Sequence, residues 1–244
     1  MAENNPHSIL ICGESGAGKS MSLYELRDRT DVLYFNCEGG KPLPFKNKFK
    51  NKVINDPEDI IDFLEELAEM EDNPFNFVVI DTISFMMDMY ETVHVINSAN
   101  TMKMWGEYGQ FFKRLINAST KVESFFIFLG HLDRVLDEEA GIFRTSVPVK
   151  GALQKKGLEA YFTTVINTFK MPMKELAKHP NKLLKITEDD EEVGFKHVFQ
   201  TRTTKQTVGD RLRSPLGLFE REELYIDNDI APVIKKMIKY YQED

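Results

Sequence analysis

Apolar residues in this chain fall first into short unbroken runs and later into alternating or helically spaced positions, and that change divides the sequence. Residues 8–12, 31–37, 76–81 and 124–129 are runs rich in Ile, Val, Leu and Phe. Runs of this length, closed by Gly, Asp or Cys, predict parallel strands buried on both faces. Residues 52–55 predict a further short strand, and residues 21–27 the first turns of a helix. Asp56, Pro57 and Glu58 form a helix start, with Asp56 as N-cap and proline at the first helical position. That helix runs to about Met70 and places Ile60, Ile61, Leu64, Leu67 and Ala68 on one face. Residues 109–119 predict another helix. From Val135 onward the runs resemble hairpins: residues 134–149 around Glu138, Glu139, Ala140 and Gly141, then residues 160–170 and 194–203, before an amphipathic helix over 231–242. The order predicts an α/β fold, a mostly parallel open sheet with helices on both sides, extended by antiparallel strands and hairpins toward the C-terminus.

With 244 residues, 42% of them hydrophobic, the chain is long enough to bury a full α/β core as one domain. The expected division is a flexible stretch over 1–6, a core over 7–133, hairpin and late strands over 134–213, and a C-terminal extension with a helix over 214–244. No charged-then-apolar leader is visible, and no apolar stretch approaches the ~18 residues of a membrane span. The expectation is a soluble, cytoplasmic protein with no membrane partner. Cys12 and Cys37 close predicted strands and read as small buried hydrophobes in a reducing compartment. A net charge of −8 argues against coating nucleic acid by bulk electrostatics, so any such contact must use a local basic patch.

The first strand leads into Gly13, Glu14, Ser15, Gly16, Ala17, Gly18, Lys19 and Ser20, a complete G-x-x-x-x-G-K-[ST] pattern, followed by Met21 at the helix start. Glycines at these places let consecutive N–H groups turn inward onto phosphate oxygens, and the helix adds its positive end. The pattern therefore predicts nucleoside triphosphate binding, with Lys19 on the β- and γ-phosphates and the Ser20 hydroxyl on Mg²⁺. Asp81 closes an apolar strand and would support the ion opposite Ser20. Thr82 follows it where some hydrolases carry a water-activating Glu, so a base must come from elsewhere. Glu38, at the tip of the second strand beside Gly39 and Gly40, is the candidate. His131, at the tip of the strand over 124–129, is a candidate sensor of the γ-phosphate.

Together, the loop 13–20, Glu38, the strand ending in Asp81 and Thr82, and the tip at Gly130 and His131 resemble the RecA-type ATPase core. They look most like the small phage ATPases with a minimal RecA core, described as single-strand annealing or recombination proteins. The resemblance spans roughly residues 7–213. It implies a three-layer P-loop NTPase fold, ATP and Mg²⁺ as cofactors, and hydrolysis with Glu38 activating water. It implies homo-oligomers, rings or filaments, with ATP at subunit interfaces, acting on single-stranded DNA, and it allows a single-strand DNA-binding protein as a further partner. For a phage-encoded chain the compartment would be the host cytoplasm. The late Lys-x-Arg element of such cores is altered here, because Gly209 stands at the lysine position; Arg211 or Arg213 is then the trans-acting finger candidate.

Two basic segments are nucleic-acid candidates. One contains Lys46, Lys48 and Lys50 interleaved with Phe45 and Phe49, whose duller reading is a solvated loop with its phenylalanines on the core. The other comprises long connections at the sheet edge, residues 97–106 with Lys103 and Trp105, and residues 134–156 with Arg134, Arg144, Lys150, Lys155 and Lys156. The resemblance favours the second. Met86, Met87, Met89, Met102 and Met104 read as packing rather than as a cofactor site. No guanine signature of the Asn-Lys-x-Asp type and no transporter signature of the Ser-Gly-Gly type is present. A small-molecule kinase and a nucleotide-gated assembly protein with little turnover remain as alternatives.

Overall fold

The computed structural model describes residues 7–242; the expected flexible stretch over 1–6 lies outside them. The apolar runs pair side by side as β1 (Ser8–Gly13), β2 (Val32–Asn36), β4 (Phe77–Asp81) and β5 (Phe125–His131), with β3 (Lys50–Val53) at one edge. A hairpin of β6 (Asp133–Asp137) and β7 (Ile142–Ser146) forms its own two-stranded sheet. The chain then returns as β8 (Thr164–Pro172), β9 (Phe195–Gln200) and β10 (Tyr225–Asp227). The eight-stranded sheet has the order β10-β9-β8-β1-β5-β4-β2-β3. It is parallel from β8 to β3, while β9 runs antiparallel to both of its neighbours. The protein is thus an α/β fold with a mostly parallel sheet extended by antiparallel strands, as the apolar pattern predicts.

Alternation along the strands divides the core between the two sheet faces. Leu10 and Cys12 of β1 join Leu33, Val78, Phe126 and Phe128 beneath α1 (Glu58–Glu69), α2 (Ile83–Tyr90) and α3 (Thr101–Ser119). Ile9 and Ile11 face the other way, with Val79, Ile127 and Leu129, onto Leu23, Leu26 and the C-terminal helix Ile230–Gln242. Both cysteines are buried and free. Met86 and Met87 are fully buried and Met89 and Met104 pack against the core, whereas Met102 is exposed. Among the described residues, no helix is long and apolar enough to cross a membrane.

The segment after the glycine-rich loop, Ser20–Leu26, forms a helix as expected, wound tightly as a 3-10 helix. Three local expectations need correction. Strand β3 begins at Lys50, two residues before the expected start, because its register is set by pairing with β2, Leu33 opposite Lys50. Residues 97–106 are not a long loop, since α3 already begins at Thr101. Asn100 caps it, its side chain accepting from the Lys103 N–H at 3.1 Å. Gly106 and Gly109 mask this helix in the sequence, each costing roughly 1 kcal/mol against alanine, and burial of Tyr108, Phe111, Phe112 and Leu115 outweighs them. Finally, β8 is more than half of a hairpin: it lies parallel to β1, Ile9 opposite Thr164, and so carries the parallel core one strand further.

Candidate active site

Parallel pairing in register brings four strand tips to one edge. Gly13 stands opposite His131, Asp81 opposite Leu129, and Asn36 opposite Asp81. The residues that follow β1 and β2, and those that end β4 and β5, therefore meet above the sheet. A cavity of about 300 Å³ there is lined by Gly18, Lys19, Ser20, Tyr34, Glu38, Asp81, His131 and His197, among others.

After β1 the backbone curls through Gly16 and Gly18, whose φ angles of 74° and 104° lie in the left-handed region that favours glycine. Lys19 is 6% exposed. Its ammonium donates to Gly13 O at 2.9 Å and Glu14 O at 3.0 Å, and lies 3.4 Å from His131 Nδ1. Burial pulls its pKa below the ordinary lysine value, against the opposing pull of Asp81 and Glu38.

Asp81 is 2% exposed. Tyr34 Oη donates to its Oδ2 at 2.6 Å and Ser20 Oγ to the same oxygen at 3.0 Å, while Oδ1 has no partner. Burial lifts this carboxyl above the usual range, partly offset by the Tyr34 hydrogen bond. A buried, bare carboxylate oxygen beside a serine hydroxyl suits a hard divalent cation such as Mg²⁺. Among the described residues no group of three or more His, Cys, Asp or Glu could hold a metal by itself, so an ion here would take the rest of its ligands from phosphate and water. The same donor pair suits no thiophilic metal.

Glu38 is placed by its own turn. Its N–H donates to Asn36 Oδ1 at 3.0 Å, and Asn36 Nδ2 ties back to Lys41 O at 2.8 Å. Its Oε1 stands 3.6 Å from His131 Nε2 and its Oε2 accepts from Lys41 Nζ at 3.1 Å. The His131 imidazole, followed by Lys41, holds the Glu38 carboxyl below its ordinary value, against desolvation. His131 is fixed by its backbone N–H, which donates to Ser84 Oγ at 3.0 Å, and by a T-shaped contact with the Phe85 ring, ring centres 5.2 Å apart. Lys19, Ser20, Asp81, Glu38 and His131 thus share one cavity.

A family model described as an AAA domain matches residues 5–209. The chain belongs to the AAA domain family. It is accordingly a P-loop AAA-type ATPase, and the glycine-rich loop follows the C-terminal end of β1. No curated protein matches the chain.

Other residues singled out in the sequence lie elsewhere. Arg211 donates through Nη1 to Glu159 Oε2 at 3.0 Å; the Glu159 side chain is only 2% exposed and also accepts from the Val147 N–H at 2.7 Å. Arg211 thus neutralises a buried carboxylate. Lys103 is exposed on α3, and Trp105 packs on Tyr108 with ring centres 5.4 Å apart. Arg134 lies over the Phe143 ring of the β6–β7 hairpin at 4.2 Å, and Arg144 pairs with Asp137 at 2.6 Å. Lys150 is held by Glu91, and Lys156 lies over Tyr161 at 4.2 Å; Lys155 is exposed. Lys46, Lys48 and Lys50 are exposed, but Phe49 is buried against Tyr34 and Phe45 packs on the core. That loop offers charge without free aromatic faces.

Sequence reasoning missed Tyr34, Ser84 and His197. Tyr34 hides in an apolar strand and Ser84 in a methionine-rich helix. His197 comes from a strand distant in sequence, and only the antiparallel return of β9 brings it to the loop.

Proposed function

We propose that this AAA domain binds Mg-ATP at residues 13–20 and hydrolyses it as a RecA-type ATPase, working as a homo-oligomer on single-stranded DNA. The single observation that carries the reading is the meeting of Lys19, Asp81, Glu38 and His131 at one sheet edge, in reach of one bound triphosphate. Mg²⁺, when bound, would neutralise charge on the triphosphate; Ser20 Oγ and Asp81, directly or through water, are the groups that would hold it. Lys19 exchanges its two carbonyl acceptors for phosphate oxygens. Glu38, kept ionised by His131 and Lys41, is the base that takes the proton of an attacking water. His131 touches both the Lys19 and the Glu38 neighbourhoods and begins the connection to the β6–β7 hairpin, so it can pass loss of the γ-phosphate to that hairpin.

The hairpin supports the DNA part of the reading. Val135, Leu136 and Phe143 are exposed beside Arg134, a combination of apolar and cationic surface suited to bases and phosphates. The acidic groups Asp137, Glu138 and Glu139 limit its extent. ATP hydrolysis measured with and without single-stranded DNA tests the proposal. DNA-stimulated turnover that weakens steeply with salt is expected. Turnover indifferent to DNA contradicts it and favours a nucleotide-gated assembly protein or a small-molecule kinase. The Arg211–Glu159 pair is the observation on the side of the assembly reading, because it occupies the arginine that would otherwise serve a neighbour's nucleotide.

A further inference from the structure

The phosphate loop is gripped from outside by three side chains distant in sequence. Thr168 Oγ1, on β8, lies 2.9 Å from Ala17 O and 3.0 Å from Asn228 Oδ1. His197 Nδ1, on β9, lies 2.8 Å from the same Ala17 oxygen. A carbonyl only accepts, so Nδ1 is the protonated nitrogen of that ring. Asn228 Nδ2, just after β10, donates to Gly18 O at 2.9 Å. Thr168 is buried, and His197 and Asn228 are half-buried.

In a trans peptide the C=O of one residue and the N–H of the next point in opposite directions. Holding Ala17 O and Gly18 O outward therefore turns the Gly18 and Lys19 N–H groups inward. Successive amides turned the same way make an anion-binding concavity. The fit also explains two motif glycines: a Cβ at Gly18 would stand 2.6 Å from Asn228 Nδ2 and 3.0 Å from His197 Nδ1, and one at Gly13 would stand 2.7 Å from Thr168 O. Asn228 lies beyond residue 209, where the family match ends.

We propose that Thr168, His197 and Asn228 are positioning residues that preset the phosphate loop, so that the antiparallel strands and the C-terminal segment complete the nucleotide site. The inference rests on the nucleotide-binding reading above. It predicts a loss specific to the phosphate chain, because the clasp orients amides and need not touch the nucleoside.

The test is a titration of the full chain with Mg-ATP and, separately, with tripolyphosphate. The variants are Asn228→Ala, His197→Ala, His197→Asn and Lys19→Ala, each with its nucleotide-free Tm measured. Asn228→Ala and His197→Ala should each weaken both ligands by about fivefold or more, as expected for one lost orienting hydrogen bond. His197→Asn, whose amide can donate near the position of Nδ1, should recover most of that loss. If Asn228→Ala fails to fold, the contrast between His197→Ala and His197→Asn decides. Unchanged affinities, or losses for ATP without losses for tripolyphosphate, overturn the clasp. A wild-type chain that binds neither ligand, or binding that survives Lys19→Ala, overturns the nucleotide reading itself.

Discussion

Replacing Asp81 with asparagine should make the nucleotide-free protein more stable while disabling it. Asp81 is 2% exposed, and both of its hydrogen bonds fall on Oδ2, leaving Oδ1 bare. An unsatisfied buried polar atom costs roughly 1–3 kcal/mol, and more when charged. Asp81→Asn removes the charge, keeps the shape and keeps an oxygen for Tyr34 and Ser20, although its new amide group is itself unpaired. The net gain should be about 1 kcal/mol near neutral pH, or roughly 2–4 °C in Tm for a chain of this size. The sign follows from the raised carboxyl pKa: a group whose folded pKa exceeds its unfolded one stabilises at low pH and loses that contribution as pH rises. The advantage of the asparagine variant over the wild type should therefore shrink on acidification. The same change removes the anionic oxygen available to Mg²⁺, which is worth several kcal/mol in phosphoryl transfer. Mg-dependent turnover should fall about a hundredfold or more. Scanning calorimetry across pH, paired with ATP hydrolysis at saturating Mg²⁺, checks both halves. A Tm that drops several degrees at neutral pH, or turnover at the wild-type level, would refute the reasoning.

Three further outcomes follow from the same site. Tyr34→Phe removes the 2.6 Å donor to Asp81 and should lower the nucleotide-free Tm by roughly 4–8 °C, about 2 kcal/mol for a hydrogen bond to a charged group; an unchanged Tm in thermal melts argues against an ionised Asp81. Arg211→Ala strands the buried Glu159 carboxylate and should cost about 3 kcal/mol in denaturant unfolding, most of it restored by adding Glu159→Gln. If Arg211 also reaches a neighbour's nucleotide, that stable double variant binds ATP yet fails to hydrolyse it in the assembled state; full turnover there leaves Arg211 a purely structural role. Because His131 and Lys41 hold the Glu38 carboxyl below its usual 4.5, its stabilising contribution is present above that pH and lost as pH falls through the lowered value. The Tm difference between wild type and Glu38→Gln should accordingly close on acidification, and a pH-independent difference would mean that Glu38 gains nothing from its neighbours.

Much of the fold was legible because the parallel strands are unbroken apolar runs, a signal that needs no knowledge of partners. Strand tips could be read as well, since Asp81, Glu38 and His131 end or follow those runs. Two kinds of feature escaped. The sequence pattern shows helix α3 only from Gly109 onward, because local propensity hides a helix whose reward is tertiary burial of Tyr108 and Phe111. The other kind depends on pairing alone. Thr168, His197 and Asn228 carry no motif, and their meeting at Ala17 and Gly18 follows only from β8 lying beside β1 and β9 folding back on it. The Arg211–Glu159 pair is likewise invisible in the sequence, being a contact across 52 residues.

The most direct measurement is steady-state Mg-ATP hydrolysis by Glu38→Gln beside the wild type, with nucleotide affinity determined for both. Unchanged affinity with turnover reduced by about 10²-fold or more would establish hydrolysis at this strand edge with Glu38 as its base. Turnover that survives the substitution would contradict that assignment, and affinity lost along with turnover would place Glu38 in binding rather than in chemistry.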